Sequence, residues 1–159
     1  MIYINIPIHL LSENILIGEL GEMDDILKRL NNRQQKAGDN LRYIEKCYYY
    51  QAKKPLIFMY DKLGSMQKRS TEIILYLREL KKDVYFRQDL IDKFNDKTSV
   101  DRFRRNLFKN YHPIEEDYEK MIVCLVKILR KQKFHLVDGV FLSTIDIITN
   151  IRKELAIWV

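Results

Sequence analysis

Apolar side chains recur at three- and four-residue intervals along most of this chain, and few residues stand ready to interrupt a helix. The clearest stretch follows His112-Pro113, where proline pushes the preceding residue out of the helical region. Tyr118, Met121, Ile122, Leu125, Ile128 and Leu129 then form one broad stripe. Glu115, Glu116, Asp117 and Glu119 lead into it and Arg130, Lys131 and Lys133 close it, the charge order that a helix dipole favours. Only five glycines and three prolines punctuate the 159 residues. That scarcity favours long helices over many short strands, so the expected class is mainly α.

Other helices follow from the same periodicity. Leu16, Leu20, Met23, Leu27 and Leu30 are spaced 4-3-4-3 after Ser12, a heptad seam suited to packing or dimerisation. Gly18 and Gly21 each weaken a helix by roughly 1 kcal/mol. They leave a second start open near Gly21, where Glu22, Asp24 and Asp25 would face the positive helix end. Asp39 or Asn40 can cap a helix to about Lys53, which Pro55 ends; Gly64-Ser65 closes the apolar run after it. From Met66, Ile73, Ile74, Leu77 and Leu80 form a stripe, with Lys68, Arg69, Arg78, Lys81 and Lys82 mostly off it. Leu90, Ile91 and Phe94 mark a short helix, and Thr98 or Ser99 caps the next. A last helix over about Thr144 to Ala156 presents Ile145, Ile148, Ile151 and Leu155 at core spacing.

Two minor β elements are expected. Ile2, Ile4, Ile6 and Ile8 alternate with Tyr3, Asn5, Pro7 and His9, which predicts a short N-terminal strand, kept to an edge by Pro7. Asp138-Gly139 between Phe134–Leu136 and Val140–Leu142 is a hairpin signal. Three parts emerge within one compact domain: an N-terminal strand and helices over 1–64, a basic unit over 65–112, and a C-terminal helical pair over 113–159.

Charge singles out the middle part. Of 28 lysines and arginines, 12 fall between Ser65 and His112, against seven of the 22 acidic residues, so this segment carries +5 of the net +6. A localised positive field suits a polyanion, because phosphate contacts supply most sequence-independent affinity. Its order is short helix, tight turn, helix. Val100, Phe103, Leu107 and Tyr111 form an inner stripe on the last helix, while Arg102, Arg105, Asn106 and Lys109 recur on another face. The run Asp89-Leu90-Ile91-Asp92-Lys93-Phe94, continued by Ser99-Val100-Asp101-Arg102-Phe103-Arg104-Arg105, resembles the helix-turn-helix core of winged-helix proteins. The likeness spans about 45 residues from Met66. It departs in a turn about one residue short and in the lack of a β-wing after Tyr111. The resemblance implies a trihelical DNA-binding unit whose second motif helix enters the major groove. Base readout would then fall to Arg102, Arg105 and Asn106, since arginine matches guanine and asparagine adenine. Backbone contacts would fall to Lys97, Arg104, Lys109 and Arg87. The plainer reading makes these cations the solvated side of ordinary helices.

A secondary surface lies over Arg42 to Lys54, where Tyr43, Tyr48, Tyr49 and Tyr50 interleave with Arg42, Lys46, Lys53 and Lys54. Tyr43, Lys46, Tyr50 and Lys53 could stack single-stranded bases or contact a protein. Consecutive tyrosines on a helix cannot all face one way, so some should pack inward with their hydroxyls at the rim.

Catalytic constellations are not found in the sequence. His9, His112 and His135 are isolated, without a second ligand at metal spacing. No glycine-rich phosphate loop, nucleophile elbow or paired cysteines appear. Cys124 sits in an apolar stretch as a core filler, Cys47 in a mixed one, and a reducing compartment is expected. No apolar run approaches the roughly 20 residues of a membrane span, and no export signal is apparent. The expectation is a non-catalytic, cofactor-free DNA-binding protein of the cytoplasm or nucleus, regulatory or replicon-associated, for which a homodimer would imply paired half-sites. The rival is an adaptor that binds another protein through its basic and tyrosine-rich surfaces and the C-terminal Ala156-Ile157-Trp158-Val159.

Overall fold

Residues 2–3, 5–37, 62–95 and 110–156 are described by a computed structural model. Five α-helices are found among them: α1 (Glu13–Ala37), α2 (Leu63–Glu79), α3 (Gln88–Asn95), α4 (Glu115–Leu129) and α5 (Thr144–Glu154). A turn of 3-10 helix, Ile8–Leu10, precedes α1, and a hairpin of β1 (Phe134–Val137) and β2 (Val140–Ser143) joins α4 to α5. The mainly α class with a small hairpin is therefore as the periodicity predicts.

The heptad residues Leu16, Leu20, Met23, Leu27 and Leu30 are all buried, and α1 lays them against the rest of the chain, packing on α2 and α3. Gly18 and Gly21 lie inside α1, which starts at Glu13 and not near Gly21. The magnitudes explain this. Two glycines cost about 2 kcal/mol together, whereas burying one leucine-sized side chain contributes about 1.5–3 kcal/mol.

The predicted N-terminal strand is a correction. Among the described residues of 2–8 there is no strand; Asn5 takes a left-handed φ of 63° in a turn closed by Ile6 N–H to Tyr3 O at 3.1 Å. Ile2 and Tyr3, neighbours in sequence, are both buried, so the alternation does not sort the side chains into two faces. Side chains from α1 and α2 satisfy this backbone, as described below, and a sheet partner is not needed.

Helix α2 begins at Leu63, three residues before the expected start, with Gly64 and Ser65 in its first turn. Its stripe holds for Ile73 and Leu77, which are fully buried. The next element, α3, buries Leu90, Ile91 and Phe94 as expected. The third helix of the predicted trihelical unit falls largely on 96–109, outside the described residues. Tyr111, expected as the last apolar position of that helix, lies in a non-helical link before α4. There its N–H donates to Ser65 Oγ at 2.7 Å and its hydroxyl donates to the Asp117 carboxylate.

Helix α4 buries Met121, Ile122, Leu125 and Leu129, but leaves Ile128 exposed and Tyr118 and Cys124 half-buried. Asp117, within its acidic first turn, is also buried and accepts the Ile114 N–H at 3.2 Å. The hairpin turn has φ of 47° at Asp138 and 77° at Gly139. Two left-handed residues in succession make the turn that matches strand twist, which is why glycine is needed at the second. Ser143 then caps α5: its Oγ accepts the Asp146 N–H at 3.2 Å, and its own N–H donates to Asp146 Oδ2 at 3.0 Å. This reciprocal cap satisfies backbone donors at the start of α5. Ile147 and Ile151 turn inward, while Ile145, predicted as core, is exposed.

Candidate functional site

The basic segment can be followed through α2 and α3. Lys68 lies 4.0 Å from Glu72, Lys82 3.3 Å from Glu13 and Arg87 3.2 Å from Asp89, while Lys93 Nζ donates to Asn31 Oδ1 at 2.7 Å. Arg87 is the member of the predicted DNA-contacting set that is described. Its backbone N–H donates to Asp24 Oδ1 at 3.0 Å, and its guanidinium forks onto Asp89. That bond raises the Arg87 pKa and lowers that of Asp89. Exposed pairs of this kind are weak and exchange readily, so they reduce the local field without closing the surface. Lys97, Arg102, Arg104, Arg105, Asn106 and Lys109 lie outside the described residues, as do Tyr43, Lys46, Tyr50 and Lys53.

Arg69 is a correction. It was expected off the apolar stripe with the other cations, yet it is 3% exposed. Its Nε and Nη2 meet Glu19 Oε1 and Oε2 of α1 at 3.0 and 3.1 Å, and its Nη1 donates to Ile6 O at 2.6 Å. Glu19, equally buried, accepts the Tyr3 N–H at 2.8 Å. One bidentate pair thus joins α1 to α2 and satisfies the irregular N-terminal backbone at two points. Desolvation limits the net gain of such a pair, but removing one partner strands the other charge. This junction is structural in character.

Beside it lies an open cleft of about 260 Å³ bounded by Tyr3, Ser12, Glu22, Lys131 and His135. Burial, and then Glu19, raises the Tyr3 hydroxyl well above the ordinary tyrosine range. His135 Nε2 sits 2.9 Å from Leu129 O. The cleft is below the roughly 300–1,000 Å³ of small-molecule sites. Among the described residues, no three His, Cys, Asp or Glu side chains gather as a metal centre would require. None of the described helices is long and apolar enough to cross a membrane.

The hairpin presents a different surface. Its register pairs Phe134 with Ser143, His135 with Leu142, Leu136 with Phe141, and Val137 with Val140. Directly paired residues share a face. His135 and Val137 lie on the buried face, so Phe134, Leu136 and Phe141 form the other, at 52%, 42% and 73% exposure. Ile145, at the start of α5, adds a side chain that is 76% exposed. Lys133 places its Nζ 5.6 Å from the Phe134 ring centroid, and Lys127, Arg130 and Lys131 are exposed on the approach to β1. No carboxylate among the described residues pairs with these four cations. Lys133 thus borders the apolar face, with the other three cations preceding it in sequence.

Comparison with family models, curated proteins and solved structures returns no match for this chain. The hairpin residues were not singled out as a site by sequence reasoning, although a signal was present. Phe134-His135-Leu136-Val137 and Val140-Phe141-Leu142 are apolar at nearly every position. A hairpin backed on one side by the core must leave the other apolar face open.

Proposed function

We propose that this chain is a non-catalytic binding protein that contacts another protein through the outer face of its hairpin. The observation that carries this reading is the shared exposure of Phe134, Leu136 and Phe141 on one strand face. Aromatic and aliphatic side chains gathered in one exposed patch mark interaction surfaces, and phenylalanine is enriched in interface cores. The test uses photo-crosslinking from position 141, with position 81 on the α2–α3 link as control, followed by reconstitution with the purified crosslinked protein. A single adduct specific to position 141 is expected. Phe141→Asp should weaken the reconstituted complex by about 2 kcal/mol or more, as truncation of an interface hot spot does. Equal adducts from both positions, or unchanged affinity, would refute it.

A second reading is DNA binding through residues 96–109, favoured by the charge concentration over Ser65 to His112. With Arg69 buried, phosphate contact would rest on Lys97, Arg104, Lys109 and the exchangeably paired Arg87, and base readout on Arg102, Arg105 and Asn106. A duplex titration at two ionic strengths tests it. Affinity should fall linearly in log salt, by about 0.9 in slope per phosphate neutralised. Arg105→Ala and Asn106→Ala should each relax preference at single base pairs by about 1–3 kcal/mol. Salt-insensitive or absent binding excludes the reading.

A further inference from the structure

We infer that the hairpin recognises an extended apolar segment of its partner, flanked by acidic residues, which adds as a third strand along the outer edge of β1. The inference rests on the hairpin reading above and specifies the partner's chemistry. In a two-residue hairpin the pair closing the turn, Val137 and Val140, exchanges backbone hydrogen bonds, and the following pair turns its backbone groups outward. Leu136 on β1 and Phe141 on β2 are that pair, and Phe134 and Ser143 repeat it.

The two outer edges are not equivalent. On β2 the outward N–H of Ser143 is already engaged by Asp146 Oδ2, as part of the α5 cap. On β1 no other backbone group among the described residues bonds to Phe134 or Leu136. Free N–H and C=O groups on an edge strand accept an added strand, with pockets for alternate side chains supplying selectivity. The side chains flanking those groups are the exposed Phe134 and Leu136, so an incoming strand gains hydrogen bonds and apolar contact together.

Charge selects among possible occupants. Lys127, Arg130, Lys131 and Lys133 precede β1 in sequence, and none forms an ion pair with a carboxylate among the described residues, although Lys131 shares the cleft with Glu22. Complementary charge therefore belongs on the partner, beside the strand that pairs with β1. A second copy of this chain would bring the same cations against one another. A membrane surface fits less well, because the turn that would enter it carries Asp138, which lies beside the Tyr76 hydroxyl of α2.

The experiment titrates the full chain with a labelled short peptide of alternating valine and threonine bearing a glutamate cluster at one end, made in both polarities. Saturable binding is expected, with the largest amide shifts at Phe134 and Leu136 and new protection of those amides from exchange. Replacing the glutamates by lysines, or making Lys131→Glu/Lys133→Glu, should weaken it by about tenfold, the scale of two exposed charge pairs lost and reversed. These cations are exposed, so the variant should fold. A conservative Lys131→Arg/Lys133→Arg variant should restore binding. Failure of both peptide polarities to bind saturably overturns the inference. So does binding that leaves the Phe134 and Leu136 amides unshifted, self-association through this face, or preference for phosphatidylserine vesicles over peptide. A helical peptide that binds and loses affinity with Phe141→Asp would keep the docking face while excluding strand addition, so the two levels fail separately.

Discussion

The α1–α2 junction and the hairpin invert the usual sorting of side chains in opposite senses. At the junction a carboxylate and a guanidinium, Glu19 and Arg69, are buried together. At the hairpin two phenylalanines and a leucine are exposed together. The junction is closed within the chain: Glu19 and Arg69 satisfy each other and also the Tyr3 N–H and the Ile6 carbonyl. The hairpin is closed on one face only, where His135 and Val137 meet the core, and its other face has no counterpart among the described residues. A buried charge with every partner in place belongs to the architecture, whereas exposed apolar area without a partner belongs to an encounter.

Six variants can break or sharpen that contrast. The largest effect is expected from Arg69→Ala, which leaves the Glu19 carboxylate buried and uncompensated. Urea denaturation should show a loss of about 3–5 kcal/mol. Replacing both members, Glu19→Gln with Arg69→Met, should recover part of this but not all, since Ile6 O then lacks its donor at about 1–3 kcal/mol. A fully stable single variant would remove the junction from its structural role.

Tyr111→Phe comes next. It deletes the hydroxyl that donates to the buried Asp117, and loss of a bond to a charged acceptor should cost about 1.5–3 kcal/mol by thermal unfolding. Ser143→Ala removes the α5 cap at about 1 kcal/mol. Its pH dependence carries a sign. Hydrogen bonds from the Ser143 side chain and then its backbone lower the Asp146 pKa. The cap therefore contributes fully above the ordinary carboxylate range and is lost as pH falls through the lowered folded value. An acid titration of stability should be shallower in Ser143→Ala than in the parent. An identical acid limb would argue against the cap.

Gly21→Ala should raise stability by about 0.5–1 kcal/mol, because a Cβ there meets nothing within 4 Å. Smallest of all, Phe141→Thr should shift stability by no more than about 0.5 kcal/mol, as surface substitutions do. A large loss there would mean that the face is structural, and the contrast with the junction would collapse.

Much of the fold was legible in the residues. The α1 seam, the α3 stripe and the dipole-ordered α4 appear where spacing placed them, and Asp138-Gly139 makes the expected turn. The misreadings have a common cause. Alternating isoleucines from Ile2 to Ile8 imitate a strand, but the Tyr3 N–H and the Ile6 carbonyl are taken by side chains from α1 and α2. Arg69 looks like any other surface cation until Glu19, fifty residues earlier, is brought against it. Ile145 and Ile147 differ in fate because side chains two positions apart on a helix point about 200° apart, and packing against the core chose the Ile147 side.

Periodicity, turn chemistry and helix-end charges act over a few residues, so the chain alone was enough to specify α1 to α5, the hairpin and the concentration of cations in its middle. Which charge is buried, and which apolar strand face stays open, depended on surfaces distant in sequence being brought together. Desolvation of a guanidinium or exposure of a phenylalanine is settled by what packs against it, and neighbours along the chain carry no record of that.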